Sequence, residues 1–264
     1  GCPPPFVPDG AQLKAMLDVL SAGQITDEFV DYIAADLRLT DADQNGPVLR
    51  STAEQRAACP VVVIGCGEAG LLAGIKLKRA GMPFTIIERQ SGVGGTWLAN
   101  RYPGCRVDIA SQYYTYSFEP TDHWEHHYAT QPEILSYLRD VTDRYDVGGH
   151  VRYDTEVTSA TWDESTSTWR VRIRACDGTV DTLAARALIC AVGQFSTAVI
   201  PDIKGANDFS GSSCHTADWD ESIDLRGKRV AVIGAGASGF QLVPAIAGTA
   251  HVDVYQRTPQ WMAP

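Results

Sequence analysis

Two glycine-rich loops occur in the chain, Gly65-Cys66-Gly67-Glu68-Ala69-Gly70 and Gly234-Ala235-Gly236-Ala237-Ser238-Gly239. Eighteen residues beyond the last glycine of each stands a residue of opposite charge, Glu88 after the first and Arg257 after the second. Glycines at this spacing let the backbone turn from strand into helix and approach a pyrophosphate at the helix N-terminus. The tip of the next strand lies beside the adenosine ribose. A carboxylate there accepts hydrogen bonds from a free ribose diol and repels a 2′-phosphate. An arginine attracts that phosphate with a fork of donors. Glu88 therefore predicts a dinucleotide with a free ribose, FAD. Arg257, with Thr258 beside it, predicts one carrying a 2′-phosphate, NADPH. A protein holding both would pass electrons from one to the other.

The elements that must position these loops are legible around them. Val61-Val62-Val63-Ile64 is the continuous β-branched run of a buried strand. A helix to about Ala80, stopped by Gly81, and a strand Phe84–Ile87 ending at Glu88 complete a β-α-β unit. Arg229–Ile233, a helix to about Gly248 and His251–Tyr255 repeat the plan. Between them, residues 90 to 130 are loop-rich and aromatic. Thr130 as N-cap, with Pro132 and Glu133 in the first turn, opens a helix that runs to about Tyr145. Alternating segments Val151–Trp162, Trp169–Arg174 and Thr179–Leu183 predict a small antiparallel meander, and Ala187–Val192 a further buried strand closing at Gly193. Ahead of this core, apolar residues at helical spacing predict two helices: Leu13, Met16, Leu17 and Leu20 within Ala11–Leu20, then Phe29, Tyr32, Ile33 and Leu37 within Thr26–Leu37. A polar linker, Thr40–Arg56, follows. The expected fold is α/β, with two Rossmann-like dinucleotide-binding units (the second incomplete), an antiparallel β-meander and an N-terminal helical extension. The expected domains are 1–58 (extension and linker), 59–200 (FAD binding) and 201–264 (linker and first part of the NADPH-binding domain).

A net charge of −10 over 264 residues, without a basic cluster, argues against nucleic-acid binding. No apolar run approaches the ~20 residues of a membrane span. The seven cysteines, Cys2, Cys59, Cys66, Cys105, Cys176, Cys190 and Cys214, are odd in number, widely spaced and free of CxxC. That suits reduced thiols in a cytoplasmic enzyme. Gly1-Cys2-Pro3-Pro4-Pro5 has no signal-peptide pattern and reads as a processed, tagged or truncated start. One β-α-β is only part of a nucleotide-binding sheet and leaves an edge open. Further C-terminal polypeptide is therefore expected beyond Pro264, covalently joined or as another chain.

The segment Phe209–Asp220 fits FxGxxxHxxxW followed by Pro or Asp, with Phe209, Gly211, His215 and Trp219 at the fixed positions. Just ahead of a second glycine loop, this resembles the fingerprint of Baeyer–Villiger monooxygenases, the class B flavoprotein monooxygenases. Four other stretches are similar to the family and stand in its order: Gly94-Gly95-Thr96-Trp97, Asn100 through Asp108, Gln131 through Leu135, and Gln256-Arg257-Thr258-Pro259. The resemblance covers 59–264. More weakly, the N-terminal helices resemble the extension of 4-hydroxyacetophenone-type members. The resemblance implies that NADPH reduces FAD and that O2 then forms a C4a-peroxyflavin. That species attacks a ketone, giving an ester or lactone. It also implies a full chain about twice this length, with the active-site arginine beyond Pro264. Two other readings stay open: a related N- or S-oxidising flavin monooxygenase, against which Trp219-Asp220 speaks, and a non-catalytic nucleotide-binding fragment or subunit.

The resemblance also assigns residues. Asp108 lies under the flavin, paired with the missing arginine, as the one catalytic candidate in this chain, and Tyr114 lines the same pocket. Gly94, Gly95, Thr96 and Trp97 approach the flavin closely, glycine having no Cβ. Trp97 stands where disulfide reductases with a similar loop carry the first of two cysteines. Gln194, after Gly193, touches the nicotinamide cofactor. His215 belongs to the domain linker and helps place NADPH, and proton transfer by it is the weaker reading. Trp219 anchors that linker. His123, His126 and His127 lack the ordered frame a metal site needs, so no metal is expected.

Overall fold

The computed structural model describes residues 7–37, 39 and 51–260. Cys2 and most of the expected linker lie outside the described residues. The chain forms two compact units, Gly1–Arg50 with Tyr114–His123, and Ser51–Tyr113 with Trp124–Pro264. In the first, α1 (Gly10–Ser21) and α2 (Glu28–Asp36) pack through Leu13, Leu17, Val30 and Ala34. Asp9 and Gln12 close a reciprocal capping box at the start of α1. Only part of the predicted apolar stripes is buried within this pair: Met16, Leu20, Phe29, Tyr32 and Leu37 are exposed. One helix-on-helix contact covers a narrower stripe than the sequence supplies.

The second unit carries both glycine loops. It opens with α3 (Ala53–Ala57), a turn of helix inside the expected linker, nucleated by a Thr52–Gln55 capping box. There follow β1 (Val61–Ile64), α4 (Glu68–Arg79), β2 (Phe84–Ile87), α5 (Thr96–Ala99), α6 (Gln131–Arg144), β3 (Val151–Arg152), β4 (Thr155–Asp163), β5 (Thr168–Ala175), β6 (Val180–Ala185) and β7 (Ala187–Cys190). The last elements are β8 (Arg229–Ile233), α7 (Ala237–Ile246) and β9 (His251–Tyr255). A parallel sheet runs in the order β3-β2-β1-β7. An antiparallel sheet runs β4-β5-β6 and packs on the first through Val62, Ile87, Val171, Ile173 and Ala185.

The expected strand Val151–Trp162 is in fact two strands. Asp154 takes a positive φ of 50°, a conformation tolerated by aspartate. The chain therefore leaves the parallel sheet after Arg152 and enters the meander at Thr155. Helix α4 lies so close to β2 that a Cβ on Gly74 would come within 2.8 Å of Ile86 Cδ1. In the second nucleotide unit, β8 and β9 form a two-stranded parallel sheet. Its Ile233 and Tyr255 are exposed, as is Phe240 on α7. Among the described residues no helix is long and apolar enough to cross a membrane.

Helix α6 begins as its sequence predicts, and the residue that fixes it is Glu133. Both the N–H and the hydroxyl of Thr130 donate to Glu133 Oε2, at 2.8 and 2.6 Å. The Glu125 and His126 N–H groups donate to Oε1 at 3.0 and 3.3 Å, and His126 Nδ1 lies 2.9 Å from Oε2. Burial pushes this carboxyl upward, but the Thr130 hydroxyl and N–H, the Glu125 N–H and the His126 ring outweigh it and hold it at about 2. A folded value below the unfolded one stabilises fully above the ordinary carboxylate range, and the stabilisation is lost as pH falls towards about 2. Glu133→Gln is expected to cost ~1–3 kcal/mol at pH 7. Denaturant unfolding at several pH values should show that difference shrinking below pH ~4.5; a difference independent of pH would contradict this role.

Candidate active site

The first glycine loop is built without room for side chains. Gly65 has a φ of 96°, and a Cβ there would stand 2.6 Å from Ala191 O. A Cβ on Gly70 would stand 1.9 Å from Gly65 O. Gly67 caps α4, leaving the first-turn N–H groups and the positive end of the helix directed at the loop. Glu88 is 4% exposed. Its carboxylate accepts the Cys66 N–H at 2.6 Å and the Gln90 N–H at 2.8 Å. The loop thus fixes the acid, and a carboxylate has lone pairs to spare for a diol. Burial, with Glu88 nearby, pushes the Cys66 thiol up to about 12. This cysteine is a packed thiol at neutral pH, not a nucleophile.

A second loop closes on the first. A Cβ on Gly95 would come 2.8 Å from Gly67 Cα, so the backbones of the two loops meet. Trp97 is buried; its indole N–H donates to Glu68 Oε1 at 2.8 Å, and its carbonyl accepts the Gln131 side-chain amide. Thr96 is exposed at the start of α5. Gly65, Gly67, Gly70, Glu88, Gly95, Thr96 and Trp97 therefore form one neighbourhood.

The other glycine loop repeats the construction. Gly234 has a φ of 107°, and a Cβ on Gly239 would stand 2.5 Å from Gly234 O. Gly236 caps α7 as Gly67 caps α4. Gly65 N–H donates to Ile87 O and Gly234 N–H to Tyr255 O, both at 2.8 Å. The equivalent residues at the strand tips are thus Glu88 and Gln256, and Arg257 comes one residue later. Equal counts along the sequence conceal this because the second crossover is one residue shorter: Val61 pairs with Phe84, Arg229 with His251. The second unit has a neutral side chain where the first has its acid, with exposed Arg257 and Thr258 immediately after it.

Asp108 is exposed at the end of the loop that starts at Arg101. That loop is tied to the start of α6: Val107 N–H donates to Ala129 O at 3.0 Å and Gln131 N–H to Cys105 O at 2.9 Å. Ser238, in the second glycine loop, hydrogen-bonds the Tyr102 phenol. Gln194 is exposed beside Gly193, whose φ is 73°. Tyr114 falls in the other compact unit. In the fingerprint, the Phe209 ring covers Gly211, where a Cβ would be 2.5 Å from the ring. His215 Nδ1 accepts the Ala217 N–H at 3.1 Å, a turn-capping role. Trp219 lines a cleft of about 580 Å³ with Arg101, Pro103, Ile223 and Ala245. Among the described residues no group of His, Cys, Asp and Glu is arranged for a metal, and the cysteines are free. Sequence reasoning named Glu68, Tyr102 and Gln131 only as members of motif stretches, with no role of their own, and passed over Gln241. Gln241, a polar residue in the apolar helix Phe240-Gln241-Leu242-Val243, carried a signal.

Residues 62–264 match the protein family described as pyridine nucleotide-disulphide oxidoreductase. Over 208 residues the chain is 41% identical to a Baeyer–Villiger monooxygenase of Pseudomonas aeruginosa, covering 78% of this chain and 39% of that protein. Over 209 residues it is 39% identical to a phenazine N-monooxygenase of Lysobacter antibioticus, covering 77% of this chain and 38% of that protein. The solved structure of OTEMO in complex with FAD and NADP superposes with a TM-score of 0.72 at 39% identity, covering 79% of this chain and 41% of that one. The chain thus spans about two fifths of the length of these relatives.

Proposed function

The chain belongs to the pyridine nucleotide-disulphide oxidoreductase family, and on that premise we propose that it is the nucleotide-binding part of an FAD- and NADPH-dependent Baeyer–Villiger monooxygenase. The family name brings no disulfide chemistry here, because Trp97, not a cysteine, follows Gly94-Gly95-Thr96. One observation carries the reading: two glycine loops of the same construction end in opposite ribose environments, Glu88 in one and Gln256-Arg257 in the other. FAD fits the first, where Gly65, Gly67 and Gly70 leave backbone room for a pyrophosphate and Glu88 accepts the diol. Gly95, Thr96 and Trp97 stand on the flavin side. NADPH fits the second, on Gly234, Gly236, Ser238 and Gly239, with Arg257 and Thr258 for the 2′-phosphate. Asp108 and Tyr114 are the candidates nearest the reaction, and Gln194 for nicotinamide contact. Phe209, Gly211, His215 and Trp219 shape the linker.

The flavin, when bound, supplies hydride acceptance and oxygen activation; the protein's part is binding, placement and water exclusion. One atom of O2 enters the bond beside a ketone carbonyl and the other leaves as water, with NADPH as the two-electron donor. The identity to a phenazine N-monooxygenase favours a second reading, oxygen transfer to an aromatic nitrogen. The full-length protein incubated with NADPH, O2 and either cyclic ketones or a phenazine separates the two. A lactone from the ketone is expected; N-oxide with no lactone would leave only the second reading, and a protein without flavin absorbance would remove both.

A further inference from the structure

We propose that Gln241 is a positioning residue that clasps the Asp108-bearing loop to the second nucleotide helix and so fixes one nucleotide site against the other. The proposal rests on the two-dinucleotide reading above. Gln241 lies on α7, two residues beyond the last glycine of the second loop. Its side-chain oxygen accepts the Tyr102 hydroxyl at 2.8 Å and the Arg106 N–H at 3.2 Å. Its side-chain N–H donates to the Arg106 carbonyl at 2.9 Å. The pair of bonds to Arg106 is what a neighbouring strand would make, supplied here by one side chain. Only one orientation of the amide satisfies all three partners.

The backbone is shaped for this contact. A Cβ on Gly104 would stand 2.6 Å from the Gln241 backbone oxygen and 2.9 Å from Ala245 Cβ. Loop and helix therefore meet at a distance only glycine allows. The loop's opposite side is already tied down: Arg106 bridges Thr130, and its neighbours bond Ala129 and Gln131. Asp108 follows two residues later. The loop is thus held between α6, which packs on the first nucleotide unit, and α7, which opens the second. Burial pushes the Tyr102 phenol up to about 12 against the Ser238 hydrogen bond, which lowers it. It therefore stays a donor throughout the physiological range.

The test uses the full-length, FAD-loaded protein with Gln241→Ala, Gln241→Glu and Tyr102→Phe. The Arg106 amide should exchange hydrogen at least ~10-fold faster in Gln241→Ala, its acceptor having gone. In Gln241→Glu the acceptor remains but the donor to the Arg106 carbonyl does not, so exchange should rise less. At saturating NADPH, flavin reduction should slow by about 10- to 100-fold in Gln241→Ala, as misplacement of reacting groups predicts. NADPH affinity and reduction by dithionite should hold, because the phosphate contacts and the flavin are untouched. Tyr102→Phe should slow reduction by about 3-fold, and it should add less than that to Gln241→Ala, because the two share one contact and only the Ser238 bond remains to be lost. If Gln241→Ala does not fold, the other two variants carry the same comparison. Faster exchange with unchanged reduction would make the clasp purely structural and overturn the proposal, as would unchanged exchange. Failure of NADPH to reduce the flavin of the unsubstituted protein would instead overturn the oxygenase reading, and this one with it; that failure is recognisable because it needs no substitution.

Discussion

Gly70→Ala is expected to leave the protein almost free of flavin. The added Cβ would stand 1.9 Å from the Gly65 carbonyl oxygen and 2.8 Å from its carbon, and both are backbone atoms that no rotamer change can move aside. Gly65 has nowhere to retreat. Its N–H is bound to Ile87 O at 2.8 Å, and its own missing Cβ faces Ala191 O at 2.6 Å. Relief must come from α4 shifting outward, and α4 is itself close-packed through Gly74 onto Ile86 and Val147. Overpacking of this kind costs ~1–3 kcal/mol or more, and here it falls on the turn that would receive the pyrophosphate. We expect more than a 10-fold loss of FAD affinity, with a lowered unfolding midpoint. Flavin-to-protein ratio after gel filtration, and denaturant unfolding with added FAD, measure both. Gly149→Ala is the control, since nothing lies within 4 Å of its Cβ position. A Gly70→Ala protein that stays yellow and as stable as that control would show that the loop is not held as described.

How far the sequence led depends on how local the physics is. The glycine loops were legible because their constraint is steric and lies within six residues. The start of α6 was legible because Thr130 and Glu133 satisfy each other across three residues. Met16 and Leu20 misled because periodicity marks an apolar face without saying how much of it a neighbour covers. Val151–Trp162 looked continuous because alternation carries through Asp154, whose positive φ sends the chain from one sheet to another. Glu88 and Arg257 seemed equivalent because counting assumes crossovers of equal length. The turns after the two helices, Gly81-Met82-Pro83 and Gly248-Thr249-Ala250, are equally long, but α4 has 12 residues and α7 has 10, so the second crossover is the shorter. Gln241 stood out as a polar residue in an apolar helix, but its role stayed hidden for a different reason. Its partners lie 135 and 139 residues away, and no pattern in the sequence joins them.

The corrected register sharpens what Arg257 should do. In the first unit the strand tip carries a buried acid held by two N–H donors. In the second that place belongs to Gln256, so the strand tip carries no carboxylate to oppose a 2′-phosphate, and Arg257 follows at once, exposed. Charge-assisted bonds to a phosphate contribute ~1.5–3 kcal/mol. Arg257→Ala should therefore weaken NADPH by ~10- to 150-fold while leaving NADH, which has no 2′-phosphate, within about 2-fold. The selectivity should also fall with added salt in the unsubstituted protein, since exposed charges are screened over ~8–10 Å. Gln256→Glu offers the converse. An acid at the position equivalent to Glu88 restores the diol acceptor and adds repulsion, so NADPH should weaken by about 10-fold and NADH should hold or tighten. The two substitutions act on the same phosphate from different sides, one removing attraction and the other adding repulsion. Single-turnover flavin reduction with each cofactor in the full-length protein reads both. If Arg257→Ala weakens NADH as much as NADPH, the arginine is holding the shared part of the cofactor and the 2′-phosphate assignment falls, whatever Gln256→Glu does.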